Sequence, residues 1–496
     1  MHAELPILDK RGGLPLAEQI AAHFAAAIRE GQLRVGDRLP TIRAIAKAVG
    51  VTPATVQDAY RRLAQRGLVR ATVGRGTEVC ETHGGEAAPQ QLFAPQALAV
   101  LHHLERENAS PPLPEGVALV ADMAGLLPDH ALFPVEEFLA AFQRVLRSSG
   151  ASLLGYGEPM GHPRLLQLLT ERCAREDDGG SDDAILITSG AQQGIDLVLR
   201  SFTRPGDAVA VAVPTYHHVF GLLAANGLQA LPVPCGDAGL ESEALRAALG
   251  RARLLYVMPT FGNPTGRTLD RAARAQLIEA VRGTQVPILE DEFQRDLRFR
   301  GAPQPTLRSL DPRRLTLTLR TFSKGLFPGV RVGWLQAPSP LLAPLAALKR
   351  YSDLETSPLL QAALAEFVAD GGLDRHLDAV RRHLQRAHRT AAATLRAHAP
   401  AGTTWTEPDG GFCLWLEFPA ALDADALAGA AAARGVAVTV GRVFDPFDRV
   451  RARSAVRLSL SRSTPAQIEA GLQVLCETAG ELLAGRARRA ARPIFL

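Results

Sequence analysis

The stretch Arg320–Trp334, RTFSKGLFPGVRVGW, decides the fold of the larger part of this 496-residue chain. It follows the β-rich run LTLTL and places Lys324 and Arg331 on either side of a Pro-Gly turn. A lysine on a rigid turn can lose its charge when desolvated and then act as a nucleophile. Alone this signal is modest, because a lysine that follows a strand usually lies on the surface.

Four further motifs precede it, each associated with a β-rich run. SGAQQGIDLVLR follows AILIT, VPTYHH follows AVAVA, YVMPTFGNPTG continues RLL, and VPILEDEFQRD carries a carboxylate at the end of its own run. The first motif predicts a helix whose free N–H groups can bind phosphate. The others offer an aromatic ring, an amide at the end of a strand and an anionic group. The residues concerned are Gly190, Ala191, Gln192, Tyr216, Asn263 and Asp291.

Beyond about residue 117, helical segments alternate with these short β-rich runs. Such alternation is typical of an α/β fold with a mainly parallel, buried sheet. Ligands of open α/β sheets bind beyond the carboxyl ends of the strands, so we expect the motif residues to lie together. Pyridoxal phosphate needs a phosphate cradle, a carboxylate at its pyridine nitrogen and a lysine. The motifs therefore predict a site for that cofactor.

Length and composition limit the class of protein. A chain of 496 residues predicts two or more domains, and 47% hydrophobic with 21% charged residues is ordinary globular composition. No apolar run reaches the roughly 18 residues of a membrane span, and the start MHAELPILDKRGG lacks the features of a signal peptide. Five scattered cysteines without a CxxC pattern indicate neither a disulfide scaffold nor a structural metal. We expect a cytoplasmic protein.

The charge is concentrated at one end of the chain. Residues 1–79 carry twelve Lys and Arg against seven Asp and Glu, a surplus of five, whereas the whole chain has a net charge of +4. A basic surplus confined to one small segment indicates a polyanionic partner. Without a matching motif, a solvated basic face would explain it equally well.

Residues 14–79 contain that motif. An amphipathic helix is predicted over Leu16–Glu30, and Thr41 can cap a second helix that Gly50 ends. Thr52 can cap a third helix, PATVQDAYRRLAQRG, and LVRATVGRGTEV predicts two short strands with Arg75 at their turn. Two short helices joined by a tight turn predict a helix-turn-helix, whose second helix enters the major groove.

This segment resembles the GntR family through PLAEQI, GQLRVGDRLPTIRAIAKAVGV, TPATV and GRGTEV. A helical dimerisation domain with a hairpin would not explain the joint pattern. The resemblance implies a winged helix-turn-helix over residues 1–79 that binds double-stranded operator DNA, with some basic side chains on phosphates. The implied DNA-binding residues are Arg38, Thr41, Arg43, Lys47, Thr52, Ala54, Thr55, Gln57, Arg61, Arg75 and Gly76.

Residues 117–496 resemble the class I/II aminotransferases, which are fold-type I pyridoxal-phosphate enzymes. The resemblance implies a mainly parallel central sheet and a smaller C-terminal α+β subdomain over about residues 390–496. It implies that Lys324 forms the internal aldimine, Asp291 pairs with the pyridine nitrogen, Asn263 bonds the ring hydroxyl and Tyr216 stacks on the ring. The residues implied around the phosphate are Gly190, Ala191, Gln192, Thr321, Ser323 and Arg331.

Two further residues match family positions. Tyr156, in GYGEPMG, matches a tyrosine that reaches the phosphate of the neighbouring subunit, which implies a homodimer with shared sites. Arg457, in AVRLSLSR, matches an arginine that binds the carboxylate of an amino-acid ligand, a task that suits its bidentate geometry. A structural ion pair is the alternative for Arg457.

One position departs from the family pattern. Phe293 stands where the family usually has tyrosine, so one donor to the ring hydroxyl is lost and efficient transamination is in doubt. His217 and His218 adjoin the stacking tyrosine and could either line the pocket or simply pack. The basic tail GRARRAARP could touch DNA, but a solvated end explains it as well.

The combination of a GntR-type head at 1–79, a linker at 80–116 and an aminotransferase-like body at 117–496 resembles the MocR subfamily of regulators. The resemblance implies a homodimeric, DNA-binding transcriptional regulator. Its effector would be pyridoxal phosphate itself, or an amine or amino acid that forms an external aldimine with it. The alternative is a catalytically active aminotransferase on a small amino acid, since Lys324, Asp291 and Arg457 are all present.

Overall fold

The computed structural model describes residues 8, 15–29, 32–33, 36–65, 68–72, 76–79, 94–106, 110–176, 182–447 and 452–490. The chain divides into two compact units, Met1–Ala94 and Pro95–Leu496. The sequence-based domain boundaries stay a prediction, because residues 80–93 and 107–109 of the expected linker lie outside the described residues. Within the described parts of the chain, none of the helices is long and apolar enough to cross a bilayer.

The first unit, the head, contains a helix-turn-helix followed by a hairpin. Thr41 caps the second helix by accepting a hydrogen bond from the N–H of Ala44 at 3.3 Å, and Gly50 ends that helix with a φ of 68°. The first helix turns an apolar face into the core of the head, where Ile20 and Phe24 are fully buried. The elements of the head are α1 (Leu16–Arg29), α2 (Ile42–Val49), α3 (Pro53–Gln65), β1 (Val69–Thr72) and β2 (Gly76–Val79).

The second unit, the body, contains the remaining elements. Its helices are α4 (Pro95–Arg106), α5 (Val135–Leu153), α6 (Pro163–Arg175), α7 (Ala191–Phe202), α8 (His218–Ala225), α9 (Ser242–Leu249), α10 (Arg271–Val281), α11 (Leu307–Leu310), α12 (Phe322–Gly325), α13 (Ser339–Asp353), α14 (Pro358–Ala369), α15 (Gly372–His398), α16 (Ala424–Ala432) and α17 (Pro465–Ala490). Its strands are β3 (Ala121–Asp122), β4 (Asp183–Thr188), β5 (Ala208–Val213), β6 (Gln229–Gly236), β7 (Gly239–Leu240), β8 (Ala252–Val257), β9 (Ile288–Asp291), β10 (Thr316–Thr321), β11 (Gly333–Pro338), β12 (Thr404–Trp405), β13 (Cys413–Glu417), β14 (Val436–Ala437), β15 (Thr439–Val440) and β16 (Ala455–Ser459).

The central sheet of the body confirms the predicted α/β class. Its strand order is β4-β11-β10-β9-β8-β5-β6-β7, in which β11 and β7 run antiparallel to their neighbours and the other pairs are parallel. All six residues of β5, AVAVAV, are buried, because helices cover both faces of the sheet. The sequence therefore shows a continuous apolar run here rather than alternation.

A smaller α+β subdomain is built on the antiparallel sheet β12-β13-β16-β15. The predicted boundary at about residue 390 falls inside α15, and residues from far upstream also belong to this core. Strand β3 pairs with β14 through Ala121 and Val436, and Met123 packs into the same cluster. Local sequence patterns do not reveal such a pairing, because its partners are hundreds of residues apart.

Candidate functional site

A cavity of about 620 Å³ lies in the body beyond the carboxyl ends of the central strands. It brings together nearly all of the cofactor residues expected from the sequence. Gly190 precedes α7 beside it, and Tyr156 lies outside it. The expected residues that line the cavity are Ala191, Gln192, Tyr216, Asn263, Asp291, Thr321, Ser323, Lys324, Arg331 and Arg457.

Lys324 lies on the short helix α12, directly after β10. Its Nζ donates a hydrogen bond to the carbonyl oxygen of Leu126 at 2.7 Å. Burial lowers the pKa of Lys324 to about 8, and the guanidinium groups of Arg457 and Arg331 act in the same direction. A substantial fraction of this amine is therefore neutral near physiological pH and can react with an aldehyde.

Asp291 is the last residue of β9 and is almost fully buried. Its Oδ2 accepts a hydrogen bond from the hydroxyl of Tyr256 at 2.8 Å, whereas its buried Oδ1 has no hydrogen-bond partner among the residues that the structure describes. Burial raises the pKa of Asp291 to about 7, although the bond from Tyr256 opposes this shift. A buried oxygen without a partner at the cavity wall suits a cationic N–H donor.

The phosphate-binding expectation rests on the turn before α7 and on the residues near α12. Gly190 has a φ of 88°, and a Cβ atom there would lie 2.7 Å from Nη2 of Arg331. Arg331 itself adopts a left-handed conformation, with a φ of 50°, and donates to the carbonyl of Ser189 at 3.1 Å. The hydroxyl of Thr321 accepts from the N–H of Ser323 at 3.2 Å. Hydroxyl, guanidinium and helix N-terminal N–H groups thus surround one end of the cavity.

Asn263 and Arg457 meet on the other side of Lys324. Asn263 lies in the loop after β8 rather than at the end of the strand, because β8 already ends at Val257. Nη1 of Arg457 donates to Oδ1 of Asn263 at 3.3 Å, and its Nη2 donates to the hydroxyl of Thr439 at 2.9 Å. Arg457 is only 4% exposed, and no carboxylate forms an ion pair with it among the described residues. The alternative of a structural ion pair therefore finds no support in the described residues.

The remaining wall contains aromatic and imidazole groups. Phe293 lines the cavity with a ring that offers no hydrogen bond donor. The hydroxyl of Tyr216 donates to Oε1 of Gln192 at 3.1 Å. His217 and His218 also line the cavity, with their ring centroids 4.1 Å apart.

Tyr156 lies away from the cavity of its own chain and is 84% exposed. The N–H of Gly157 donates to the carboxylate of Glu355, which places the segment of Tyr156 beside the end of α13. The exposed large side chains of these two neighbouring segments are Leu154, Tyr156, Tyr351 and Leu354. We call these four residues the exposed apolar patch.

Sequence reasoning missed three residues of the site. Tyr256, inside β8, is the hydrogen-bond partner of Asp291. Thr439 joins Arg457 to Ser110, whose hydroxyl lies 3.3 Å from that of Thr439. No local signal marks Thr439 or Ser110, since each acts through a partner that is distant in the sequence. For Tyr256 the one available hint was a tyrosine within the apolar run LLYV.

In the head, most of the expected DNA-binding residues are exposed. Thr41 and Thr52 lie at the N-terminal ends of α2 and α3, and the hydroxyl of Thr52 accepts from the N–H of Thr55 at 3.3 Å. Arg61 forms an ion pair with Asp58, so a DNA phosphate would compete with this carboxylate for the guanidinium. Arg75 lies outside the described residues. The expected residues that are exposed in the head are Arg38, Thr41, Arg43, Lys47, Thr52, Ala54, Gln57, Arg61 and Gly76.

Comparison with known proteins agrees with both units. The family model "Aminotransferase class I and II" matches residues 124–475, and "Bacterial regulatory proteins, gntR family" matches residues 16–79. The chain belongs to the class I and II aminotransferase family and, with its GntR head, to the MocR-type regulators.

Similar proteins extend over both units. YisV, an uncharacterised HTH-type transcriptional regulator of Bacillus subtilis, is 29% identical over 96% of this chain and 98% of its own length. The probable rhizopine catabolism regulatory protein MocR of Rhizobium meliloti is 28% identical over 87% of each chain. The structure of LysN, an α-aminoadipate aminotransferase of Thermus thermophilus complexed with N-(5'-phosphopyridoxyl)-L-leucine, has a TM-score of 0.71 at 30% identity. It covers 80% of this chain and 99% of that one.

The residues of this MocR-type regulator fit pyridoxal 5'-phosphate, the cofactor of the fold. The unpartnered Oδ1 of Asp291 suits the protonated ring nitrogen, and the glycine at position 190 leaves room for the Arg331 guanidinium beside the cradle. Lys324 supplies an amine of lowered pKa. The cofactor, when bound, supplies an electron-withdrawing ring that reacts with amino groups. The protein is a transcriptional regulator with an aminotransferase-like body.

Proposed function

We propose that this regulator senses pyridoxal phosphate, alone or together with an amino compound joined to it, and thereby controls its binding to operator DNA. The observation that carries the proposal is the position of Thr439. Its hydroxyl accepts from Arg457 inside the cavity and lies 3.3 Å from the hydroxyl of Ser110. Ser110 belongs to the segment that follows α4, the first helix of the body.

In this proposal each cavity residue has one role. Lys324 holds the cofactor covalently, Asp291 pairs with its ring nitrogen, Asn263 bonds its ring hydroxyl and Tyr216 stacks on its ring. Arg457 binds the carboxylate of the amino compound through its planar guanidinium. The residues assigned to the phosphate are Gly190, Ala191, Gln192, Thr321, Ser323, Arg331 and, from a second subunit, Tyr156.

Two contacts link the cavity to α4, the first helix of the body after the chain leaves the head. Helix α4 packs against α8, and α8 begins with the cavity residue His218. Ser110, four residues beyond the end of α4, itself lines the cavity. A ligand that binds more tightly to one arrangement of these segments shifts the population toward that arrangement. The size of the shift is limited by the difference between its affinities for the two arrangements.

The partners follow from the two units. The head supplies a winged helix-turn-helix for operator DNA in the cytoplasm. The body supplies the exposed apolar patch, and such patches usually mark an interface with another protein. A homodimer that buries this patch and exchanges Tyr156 between its sites would bring two heads to one operator.

A working aminotransferase is the alternative function. The intact set of Lys324, Asp291 and Arg457 favours it, but Phe293 offers no donor to the ring hydroxyl in the place where the family has one. A regulator needs the cofactor to bind and respond, whereas an enzyme also needs turnover. The regulator is therefore the better supported function.

Visible spectra and gel shifts test the proposal together. Purified full-length protein should show a cofactor band that Lys324→Ala lacks, and a specific shift of the DNA upstream of its own gene. Adding amino compounds should change both the band and the affinity for that DNA. Rapid turnover with a panel of amino acids and 2-oxoacids, without retention of any specific DNA, would reverse the choice in favour of the enzyme.

A further inference from the structure

Basic side chains remain in the lining of the cavity when the charged residues assigned to the cofactor are set aside. Lys324, Asp291 and Arg331 are assigned to the cofactor. The charged or imidazole side chains that remain in the lining are Arg457, His217 and His218. Among the described residues, Asp291 is the sole carboxylate that lines the cavity.

The histidines share a wall with Arg457. The ring of Phe444 lies 5.2 Å from the guanidinium carbon of Arg457 and, edge-on, 5.2 Å from the ring of His217. The backbone N–H of Thr215 donates to the carbonyl of Phe444 at 2.9 Å, which holds the chain before the histidines against this ring. One buried aromatic ring thus lies between the guanidinium of Arg457 and the imidazole of His217.

This wall is built in part from residues of the smaller subdomain. The hydroxyl of Tyr216 points to Gln192 at the start of α7, on the cradle side. His217 instead contacts Phe444, and Arg457 contacts Thr439, both in the smaller subdomain. His217 therefore lies on the same wall of the cavity as Arg457, and the ring of His218 lies 4.1 Å from that of His217.

The chemistry of this wall discriminates between amino compounds. A ligand carboxylate forms an ion pair with the guanidinium of Arg457, which is buried and has no ion-pair partner among the described residues. An anionic side chain accepts charge-assisted hydrogen bonds from imidazole, which are about twice as strong as neutral ones. A cationic side chain finds no free carboxylate in the described lining and meets three basic groups instead.

We infer that the effector is an amino acid with a second anionic group in its side chain, an amino diacid. Arg457 binds one carboxylate, and His217 with His218 binds the other. This inference rests on the proposed function, because it names the ligand class of the same sensing site.

The first test compares amino acids of matched size on the cofactor-loaded, full-length protein. L-glutamate, L-glutamine, L-lysine and L-leucine are titrated while the visible cofactor band is followed. We expect the half-saturating concentration of L-glutamate to lie about tenfold or more below that of L-glutamine, as the loss of a charged hydrogen bond implies. L-lysine and L-leucine should bind more weakly still.

The second test removes the histidines. In His217→Leu/His218→Leu, and in each single variant, the preference for L-glutamate over L-glutamine should fall toward about twofold, while L-glutamine still binds. His398→Leu, on the exposed side of α15, is the matched control and should keep the preference. Arg457→Gln should weaken both ligands alike.

The outcomes separate the two proposals. Equal binding of L-glutamate and L-glutamine, tight binding of L-leucine or L-lysine, or a preference that survives the double histidine variant overturns the amino-diacid inference and leaves the sensor intact. A protein that takes up no pyridoxal phosphate, or whose band no amino acid alters, overturns the proposed function itself.

Discussion

Lys324 has a lowered pKa because it is buried beside two guanidinium groups, and this sets how it should react with pyridoxal phosphate. With a pKa of about 8, the fraction of Lys324 in the neutral amine form increases about tenfold for each pH unit below pH 8 and levels off above it. The rate at which cofactor-free protein takes up the aldehyde should follow this profile between pH 6 and 9.5, measured by visible absorbance. Arg457→Gln removes a neighbouring cation and should move the plateau to higher pH. A rate that keeps rising to pH 10 in the wild type would contradict the buried position of the amine.

Asp291 should make the cofactor-free protein less stable as pH rises. Its carboxyl group keeps its proton up to a pH of about 7 in the folded protein but loses it near 3.8 when unfolded. The contribution of Asp291 to the free energy of unfolding is therefore most favourable below about pH 4. It falls as pH rises to about 7. Asp291→Asn should be more stable than the wild type at pH 8, by up to about 4 kcal/mol, with a smaller difference at pH 5. Urea unfolding at both pH values measures this, and a difference independent of pH would refute it.

The same residues show how far sequence alone predicts the site. Lys324, Asp291 and Asn263 stand in motifs with a fixed chemical role, so the sequence is enough to predict that they converge. Tyr256 and Thr439 could not be predicted, since their importance comes from hydrogen bonds to Asp291 and Arg457 that only the folded chain creates. Roles set by local motifs were therefore predictable, and roles set by tertiary contact were not.

At the scale of elements, α2 and α3 should make two kinds of DNA contact. Contacts to phosphates position the head on the duplex, and contacts to base edges recognise the operator sequence. Arg43 and Thr55 are expected near base edges, whereas Lys47 is expected at a phosphate. Lys47→Ala should weaken binding to operator and random DNA alike, and should lower the slope of log affinity against log salt concentration by about 1. Arg43→Ala and Thr55→Val should each cost about 1–3 kcal/mol of binding free energy on the operator alone. Fluorescence anisotropy at several salt concentrations measures both effects. Arg204→Ala, exposed on the body, is the control; if it weakens binding as much, the assignment to the head fails.

The segment that contains Ser110 should transmit the state of the cavity. Ser110→Ala removes the contact with Thr439 but leaves Lys324 and Arg457 in place, so cofactor and amino-acid affinities should change by less than about twofold. The change in operator affinity that the amino acid causes should shrink, because the coupling free energy depends on that contact. Ser152→Ala, whose hydroxyl bonds only a local carbonyl at 2.8 Å, is the matched control. Unchanged coupling in Ser110→Ala would exclude this route.

Elements differ in how well sequence predicts them. The central strands were evident from their apolar, β-branched runs, and the helices of the head from their caps and periodicity. Strand β3 was not, because two residues, Ala121 and Asp122, carry no pattern of their own and acquire strand geometry only by pairing with β14. For the same reason, local patterns do not show that Ala121 packs into the core of the smaller subdomain.

At the scale of the whole molecule, the exposed apolar patch raises the question of which subunit uses Tyr156. Tyr351, in the same patch, is 93% exposed, and large apolar side chains are seldom left in solvent together. If two chains meet at this patch, Tyr156 can reach the partner's cavity while it stays outside its own. Each site would then need Lys324 from one chain and Tyr156 from the other.

Mixed dimers should distinguish shared from separate sites. A dimer with Lys324→Ala in one chain and Tyr156→Ala in the other has one complete site if Tyr156 acts across the interface, since the unmodified Lys324 and the unmodified Tyr156 then meet. It has no complete site if Tyr156 acts within its own chain. Purified by two different tags and dialysed, the mixed dimer should retain about one tightly bound cofactor per dimer by visible absorbance. Both parent homodimers should retain less, and a mixed dimer that retains no more than they do would show that the sites are not shared.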